Sequence, residues 1–568
     1  MNLRGLPLYL PVLLAAGLAI LPASYLIFGS LWSADPGQPG QLTSQNFAAV
    51  LSDPTLGAVL LNSVAYSLGA ALFAAALAFL LAVALQRTDA PLKRFMTSAL
   101  LVSLAVPWMV EDIAWTYLLS PRIGLYNIWL GQLFGIGDSL LNIYSIWGLI
   151  WVMGLSLTPL AYLIISPSLS LVDPHLEEAS LVSGARLRTT FFRIDLPLSL
   201  PSILSALLLC TVIALEAFDA SAIIGIPGRV WTLTNSIYGQ TVQTPPNYEV
   251  ASAYAVILVG MTLTLILFYS RSIRLSQRYV TVSGRTGRPR TFSLGRYRWL
   301  VGGGFIVYLF VYLVPVLSVL VFVSLHNFWN PTDLPPITLA NYENLLIFPS
   351  IDTGIFNSAI VSVTAAVATA ALAFFLSYTS TRRRSVIGRS AELVASLPLA
   401  FPTIVLGIGL LWALLRSPLP IYGTVWALTL AYTIRYVPIV SRFLSGPMVQ
   451  LAKELEEVSR ICGAGVATTL RRIVLPILKP SLIAGAVYVF VVSIKDLGAA
   501  VMLTTGDSAL FSSALYNLWT HGDELVAVAG GILYVGVLSG ALLILAIILK
   551  IDLFSIMSPE GRRAKSGN

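Results

Sequence analysis

Long apolar runs separated by short polar ones repeat along the whole chain. A helix crossing the roughly 30 Å hydrocarbon core of a bilayer needs about 20 apolar residues, and twelve windows of that kind can be read here. In the first half they are 6–31, 56–85, 95–119, 143–165, 198–223 and 250–273. In the second half they are 299–325, 355–379, 391–415, 422–444, 480–503 and 525–549. The stretch 124–136 is rich in aromatics but too short to cross, so it is expected at the membrane interface. The run Leu6 to Leu31 outlasts the ~7–15 residues of a signal-peptide core and is read as a retained first span.

Composition supports the same class. Only 11% of the 568 residues are charged and 57% are hydrophobic, against about 25% charged in a soluble domain. The net charge of +8 does not point to nucleic acid, because the basic residues lie in short segments between apolar runs. Arginine and lysine accumulate on the cytoplasmic side of membrane proteins. Connections near 86, 172, 274, 380 and 445 hold Arg87, Lys93 and Arg94; Arg186, Arg188 and Arg193; an arginine-rich linker; Arg382, Arg383, Arg384 and Arg389; and Lys453, Arg460, Arg471, Arg472 and Lys479. The alternate connections hold only Arg122, Arg229 and Arg416. Both termini are therefore expected in the cytoplasm. Cys210 and Cys462 lie far apart on the membrane or cytoplasmic side, and no disulfide is expected.

The two halves align with each other. Leu42-Thr-Ser-Gln-Asn-Phe47 resembles Ile337-Thr-Leu-Ala-Asn-Tyr342, Asn62-Ser63 matches Asn357-Ser358, and Ala105-Val-Pro107 matches Ala400-Phe-Pro402, all at an offset of 295. Further on, Pro159, Pro197 and Pro201 match Pro438, Pro476 and Pro480 at an offset of 279. The offset falls by 16, about the size of the interfacial insertion. The fold expected is an all-α integral membrane protein of two tandem six-span halves, parallel in orientation and related by a pseudo-two-fold axis along the membrane normal. The organisation read from the sequence is a first domain at 1–275, a linker at 276–298, a second domain at 299–555 and a cytoplasmic tail at 556–568. Arg271 to Arg298 contains eight arginines and no acid, and is read as a topological anchor in preference to a lipid or partner site.

The longest cytoplasmic loop of each half carries one shared pattern. The first, 173–197, reads Glu177-Glu-Ala-Ser-Leu-Val-Ser-Gly184 and then Ile194-Asp-Leu-Pro197. The second, 450–476, reads Glu456-Glu-Val-Ser-Arg-Ile-Cys-Gly463 and then Ile473-Val-Leu-Pro476. Asp173-Pro174 is a helix start, with Asp as cap and Pro in the first turn. Leu451, Leu455, Val458 and Cys462 recur at helical spacing as one apolar stripe. Gly184 and Gly463 can end the helix in the left-handed conformation, and Pro197 and Pro476 mark the start of the next span. Each loop thus predicts a short amphipathic helix lying along the membrane, suited to docking.

This pattern resembles the signature of permease subunits of binding-protein-dependent ABC importers: Glu-Ala-Ala, glycine six residues after the glutamate, then Ile-x-Leu-Pro. The resemblance implies that the short helix sits in a cleft of an ATP-binding subunit and transmits its closure. The coupling residues it implies are Glu177, Glu178, Ala179, Gly184, Ile194, Leu196 and Pro197, with Glu456, Glu457, Gly463, Ile473, Leu475 and Pro476. Ser180, Val458 and Ser459 depart from the alanines the family favours. The fused, double-length arrangement looks most like iron(III), thiamine and phosphonate permeases. It implies two copies of an ATP-binding subunit, an extracytoplasmic substrate-binding protein and a bacterial-type plasma membrane. The chain has no Gly-x4-Gly-Lys-Ser/Thr loop, so ATP and magnesium are expected on the partner and no cofactor in this chain. A secondary transporter with twelve spans in two parallel halves is disfavoured, since it has no reason to place that loop in both halves. A membrane enzyme is disfavoured for want of a paired acid and base.

Ionisable residues inside spans mark pathways by default. Glu111, Asp112, Glu216 and Asp219 in the first half, and Arg435, Lys495 and Asp496 in the second, are the candidates. Lys495 aligns with Glu216 at the 279 offset, so the matched pair could line a pathway or form an ion pair. Histidines 175, 326 and 521 are scattered and no metal site is expected. The cargo expected from the resemblance is iron(III), then thiamine or phosphonate, then polyamine.

Overall fold

The structure, a computed structural model, describes residues 6–135, 140–170, 174–276, 293–331, 335–382 and 385–548. Asp173, most of the arginine-rich linker, Arg383, Arg384 and the tail from 549 lie outside the described residues. The described residues form helices and no strand, with one isolated bridge between Trp32 and Leu42.

Nine of these helices are long and apolar enough to cross a bilayer alone, and a bent pair, Val386–Ala400 with Thr403–Arg416, makes a tenth. The window 95–119 instead becomes two short helices, Lys93–Ser103 and Trp108–Leu119. The window 422–444 becomes the 26-residue helix Val425–Gln450, which dilutes its apolar run with Arg435 and Arg442. The two broken spans fail at matched places, Pro107 and Pro402. Proline has no N–H to donate and its ring crowds the carbonyl four residues back, so the helix stops, and in the second half the chain turns by 111°. Arg435 then donates to the carbonyls of Pro398 (2.6 Å) and Phe401 (2.7 Å) at that bend. Non-helical backbone at membrane depth persists only where such partners satisfy it. The interfacial stretch is a ten-residue helix, Leu125–Phe134, that ends on Gly135 in the left-handed conformation.

The chain divides into two compact units. One comprises Met1–Asp53, Ser236–Val259 and Leu346–Thr520; the other comprises Pro54–Asn235, Gly260–Leu345 and His521–Asn568. These units cut across the two sequence repeats. In the first unit, Leu6–Ser30 packs on Thr403–Arg416, Val386–Ala395 and Pro349–Ser377, all from the second repeat. Gly29 lies flat against Trp412 and Gly409 against the Pro22 carbonyl, each too close for any β-carbon. The Trp412 indole, fully buried, donates to Ser252 Oγ (2.9 Å).

In the other unit, Leu56–Arg87 packs lengthwise on Ile146–Ser170 and Leu196–Glu216. Ala70, Ala71, Ala74, Ala75, Ala78 and Ala82 are all buried on that helix. Without a hydrophobic drive between helices in lipid, small residues that allow close approach supply the packing. Leu313–Ser324, the second part of the opening span Gly295–Ser324 of the second repeat, packs here on Trp108–Leu119 and Glu524–Ile548.

Candidate functional site

Each shared loop forms a nine-residue helix, Pro174–Val182 or Lys453–Ile461. Both end on glycine with positive φ, +82° at Gly184 and +78° at Gly463. The next amide folds back, Ala185 N to Ser180 O (3.1 Å) and Ala464 N to Ser459 O (3.0 Å). This six-to-one bond is the Schellman ending that glycine makes possible. A serine joins the two limbs of each loop: Ser180 Oγ to Thr190 Oγ1 (2.9 Å) and Ser459 Oγ to Thr469 Oγ1 (2.8 Å). The two serines that depart from the family pattern therefore each meet a threonine ten residues on. Sequence reading missed that pairing, though both threonines share the 279 offset.

The return limb does not break before the span. It winds one π-helical turn, Phe191–Asp195 or Leu470–Val474, directly into Leu196–Glu216 or Leu475–Lys495. The amides of Leu196 and Leu475 reach five residues back, to Phe191 O and Leu470 O. Pro197 and Pro476 follow in the first turn. The wider turn admits a residue lacking an N–H without ending the helix.

The paired glutamates have opposite environments. Glu177 and Glu456 are buried, whereas Glu178 and Glu457 are exposed. Glu177 pairs with the wholly buried Arg87 at the end of Leu56–Arg87, which also reaches Asp195 Oδ2 (3.1 Å) and the Leu169 carbonyl (3.4 Å). Glu456 pairs with Arg382 Nε (2.6 Å), and Tyr378 OH donates to its other oxygen (3.1 Å). Arg382 also donates to the carbonyls of Leu451 (2.6 Å) and Ala452 (2.9 Å). Arg87 and Arg382 match at the 295 offset and their glutamates at the 279 offset, so one latch is built twice. From the sequence both arginines read only as topology; their shared offset is the signal that pairs them with the glutamates.

Facing outward are Glu178, exposed beside His175 (3.7 Å), and large apolar residues. Leu176, Val182, Leu455, Val458 and Ile461 are all exposed, the last at 84%. Leu451 precedes its helix and is buried, so only Leu455, Val458 and Cys462 of the expected stripe share the exposed side. Ala179, Pro197 and Pro476 are also exposed, Leu475 is 40% exposed, and Ile194, Leu196 and Ile473 are half-buried. An apolar patch of this kind at a helix surface marks an interaction site.

The span charges fall into different settings. Glu111 is buried and accepts from Ser156 Oγ (2.7 Å), and Asp112 beside it is buried too. Glu216 closes the helix Leu196–Glu216, with Asp219 just beyond, both half-buried. In the other unit, Lys495 closes Leu475–Lys495. Asp496 Oδ2 accepts from Tyr432 OH (3.1 Å) and from the Ala499 amide (2.9 Å) in the first turn of the short helix Gly498–Leu503. Arg435 and Ser156 occupy matched positions, one holding a bend by its carbonyls and the other holding Glu111.

The sequence model described as "Binding-protein-dependent transport system inner membrane component" matches residues 70–282 and again residues 365–555. The chain is 26% identical over 452 residues to the ferric transport system permease protein FbpB of Actinobacillus pleuropneumoniae, covering 78% of this chain and 64% of that protein. It is 27% identical over 381 residues to the Fe(3+)-transport system permease protein FbpB 2 of Haemophilus influenzae, covering 66% and 71%. It is 26% identical over 132 residues to a 2-aminoethylphosphonate transport system permease protein, PhnV, of Salmonella paratyphi A, covering 23% and 50%.

Proposed function

We propose, from the premise that this chain belongs to the binding-protein-dependent transport system inner membrane components, that it forms the translocation pathway of an ATP-driven importer of iron(III). Family membership makes it a multi-pass inner membrane permease. The observation that supports the driving mechanism is the twice-built docking loop: an exposed apolar helix held by a buried arginine–glutamate latch. A helix fixed at one end to a span and bare on its other side can pass a partner's motion into the membrane.

On this reading two copies of an ATP-binding subunit, carrying ATP and magnesium, engage Pro174–Val182 and Lys453–Ile461, and both termini lie on their side of the membrane. An extracytoplasmic protein captures the cargo and delivers it to the opposite face. Acids such as Glu111, Asp112, Glu216 and Asp219 suit a cationic cargo along the pathway. The ferric names of the relatives support iron(III), and the phosphonate-system relative supplies the competing cargo.

The test is reconstitution of the chain with the ATP-binding subunit in proteoliposomes and addition of cargo-loaded binding protein. Uptake of iron(III) that requires ATP, with a native mass of one chain to two ATP-binding subunits, is expected. Uptake of 2-aminoethylphosphonate instead would replace the cargo, and a complex needing two copies of this chain would overturn the arrangement.

A further inference from the structure

Beside the second docking loop runs a groove of about 1100 Å³, larger than the ~300–1,000 Å³ of ordinary small-molecule pockets. It lies wholly within one compact unit, between the helix Pro349–Ser377, the return limb of the loop and the helix Leu475–Lys495. Its wall is apolar, formed by residues such as Phe374, Phe375, Leu482 and Ile483, with small side chains at Ala371 and Ala486 leaving the space. Polarity enters at one end only, where Arg460 and Arg471 line it. Both arginines are exposed, and Arg460 keeps a loose contact with Glu456 (3.7 Å).

The dimensions match one leaflet. From Leu475 to Ala486 the groove follows eleven residues of helix, or about 16 Å at ~1.5 Å per residue. That is about half of the ~30 Å hydrocarbon core. A slot one leaflet deep, apolar along its length and doubly cationic at its docking-loop end, complements a single amphiphile with an anionic head. We propose that this groove binds an anionic phospholipid, with its phosphate between Arg460 and Arg471 and an acyl chain along Phe374, Phe375 and Leu482.

The groove lies on the second repeat, and its arginines are not shared with the first. At the 279 offset Arg460 and Arg471 are replaced by Leu181 and Phe192, while the lining residues Gly465 and Ala467 are replaced by Arg186 and Arg188. A lipid seated here touches both the docking helix, through Arg460, and the span that follows it. Occupancy would therefore bias the coupling loop that carries Arg460. On the function proposed above the leaflet is the cytoplasmic one; the binding itself does not rest on that reading.

The test is native mass spectrometry of the full-length protein, delipidated in detergent and titrated with phosphatidylglycerol or phosphatidylcholine of the same acyl chains. Each arginine near a charged lipid surface contributes about a fivefold preference. Arg460→Gln with Arg471→Gln should therefore weaken the tightest phosphatidylglycerol adduct roughly 25-fold, with phosphatidylcholine binding unchanged. Ala371→Phe, which fills the slot and keeps both arginines, should remove the same adduct. Equal retention of the two lipids by the native protein, or survival of the adduct in both variants, would overturn the proposal. So would displacement of the adduct by inorganic phosphate alone, which would make the site an anion site without a lipid.

Discussion

Replacing Arg382 with Met keeps most of the side-chain volume and removes the charge that holds the helix Lys453–Ile461. The native pair is nearly dry, with Arg382 and Glu456 exposed by only 8% and 7%. Removing one partner of a buried ion pair costs about 3–5 kcal/mol, because the other charge is stranded. Tyr378 still donates to Glu456, and the exposed Arg460 stands 3.7 Å away, which places the loss near the lower limit, about 3 kcal/mol. A large membrane protein need not unfold as one unit, so the loss should appear first as local opening of Lys453–Ile461. At about 1.4 kcal/mol per tenfold, amide hydrogen exchange of that helix should quicken by roughly a hundredfold. Arg382→Met combined with Glu456→Met strands no charge and should recover most of the protection. Glu457→Gln, on the exposed side, should change nothing. Protection unchanged in Arg382→Met, or losses that simply add in the double variant, would refute the latch. Arg87→Met should be worse, since Arg87 answers two buried acids, Glu177 and Asp195.

Glu178→Arg should leave thermal stability within about 0.5 kcal/mol of native yet lower the amount of ATP-binding subunit that co-purifies and abolish uptake; Glu177→Gln should lower stability first. Gly184→Ala and Gly463→Ala meet open space but a left-handed backbone, so each should cost about 1–2 kcal/mol in thermal melts, with Asn tolerated better than Ala. Asp89 lies outside the spans, and its carboxyl is held below its ordinary range, chiefly by the hydrogen bond from the Leu294 amide. A lowered folded pKa means that this tether is intact above the ordinary carboxylate range and is lost as pH falls through the lower, folded value. Asp89→Asn should therefore speed tryptic cleavage at Arg296 and Arg298 near neutral pH. In strong acid, a protease active there should cut native and variant segments alike.

The apolar windows located the spans because lipid leaves no alternative for a run of that length, and every window is occupied by helix. What periodicity could not show was continuity. Pro107 and Pro402 end helices inside their windows, whereas Pro159, Pro438, Pro201 and Pro480 sit within unbroken ones. The difference lies in tertiary partners, such as Arg435 for the carbonyls before Pro402. The two shared loops were legible as motifs, down to the glycine that ends each helix. The division of labour between adjacent glutamates was not, because Glu177 and Glu178 differ only in which way the helix turns them. Arg87 and Arg382 lie far along the chain from their acids, and a charge at the end of a span reads first as topology.

The two compact units exchange their opening spans: Leu6–Ser30 completes the unit built on the second repeat, and Gly295–Ser324 completes the one built on the first. This is domain swapping within a single polypeptide. Neither repeat, expressed alone, would hold all of its own packing surface. Gly29 and Gly409 would lose the Trp412 and Pro22 neighbours to which they are fitted. Two separate half-length chains would have to find each other, in competition with swapping between two copies of one half. Joining them covalently turns that choice into an intramolecular event at millimolar effective concentration. Fusion thus guarantees that the loop carrying Arg460 and Arg471 is always assembled with the one carrying Leu181 and Phe192.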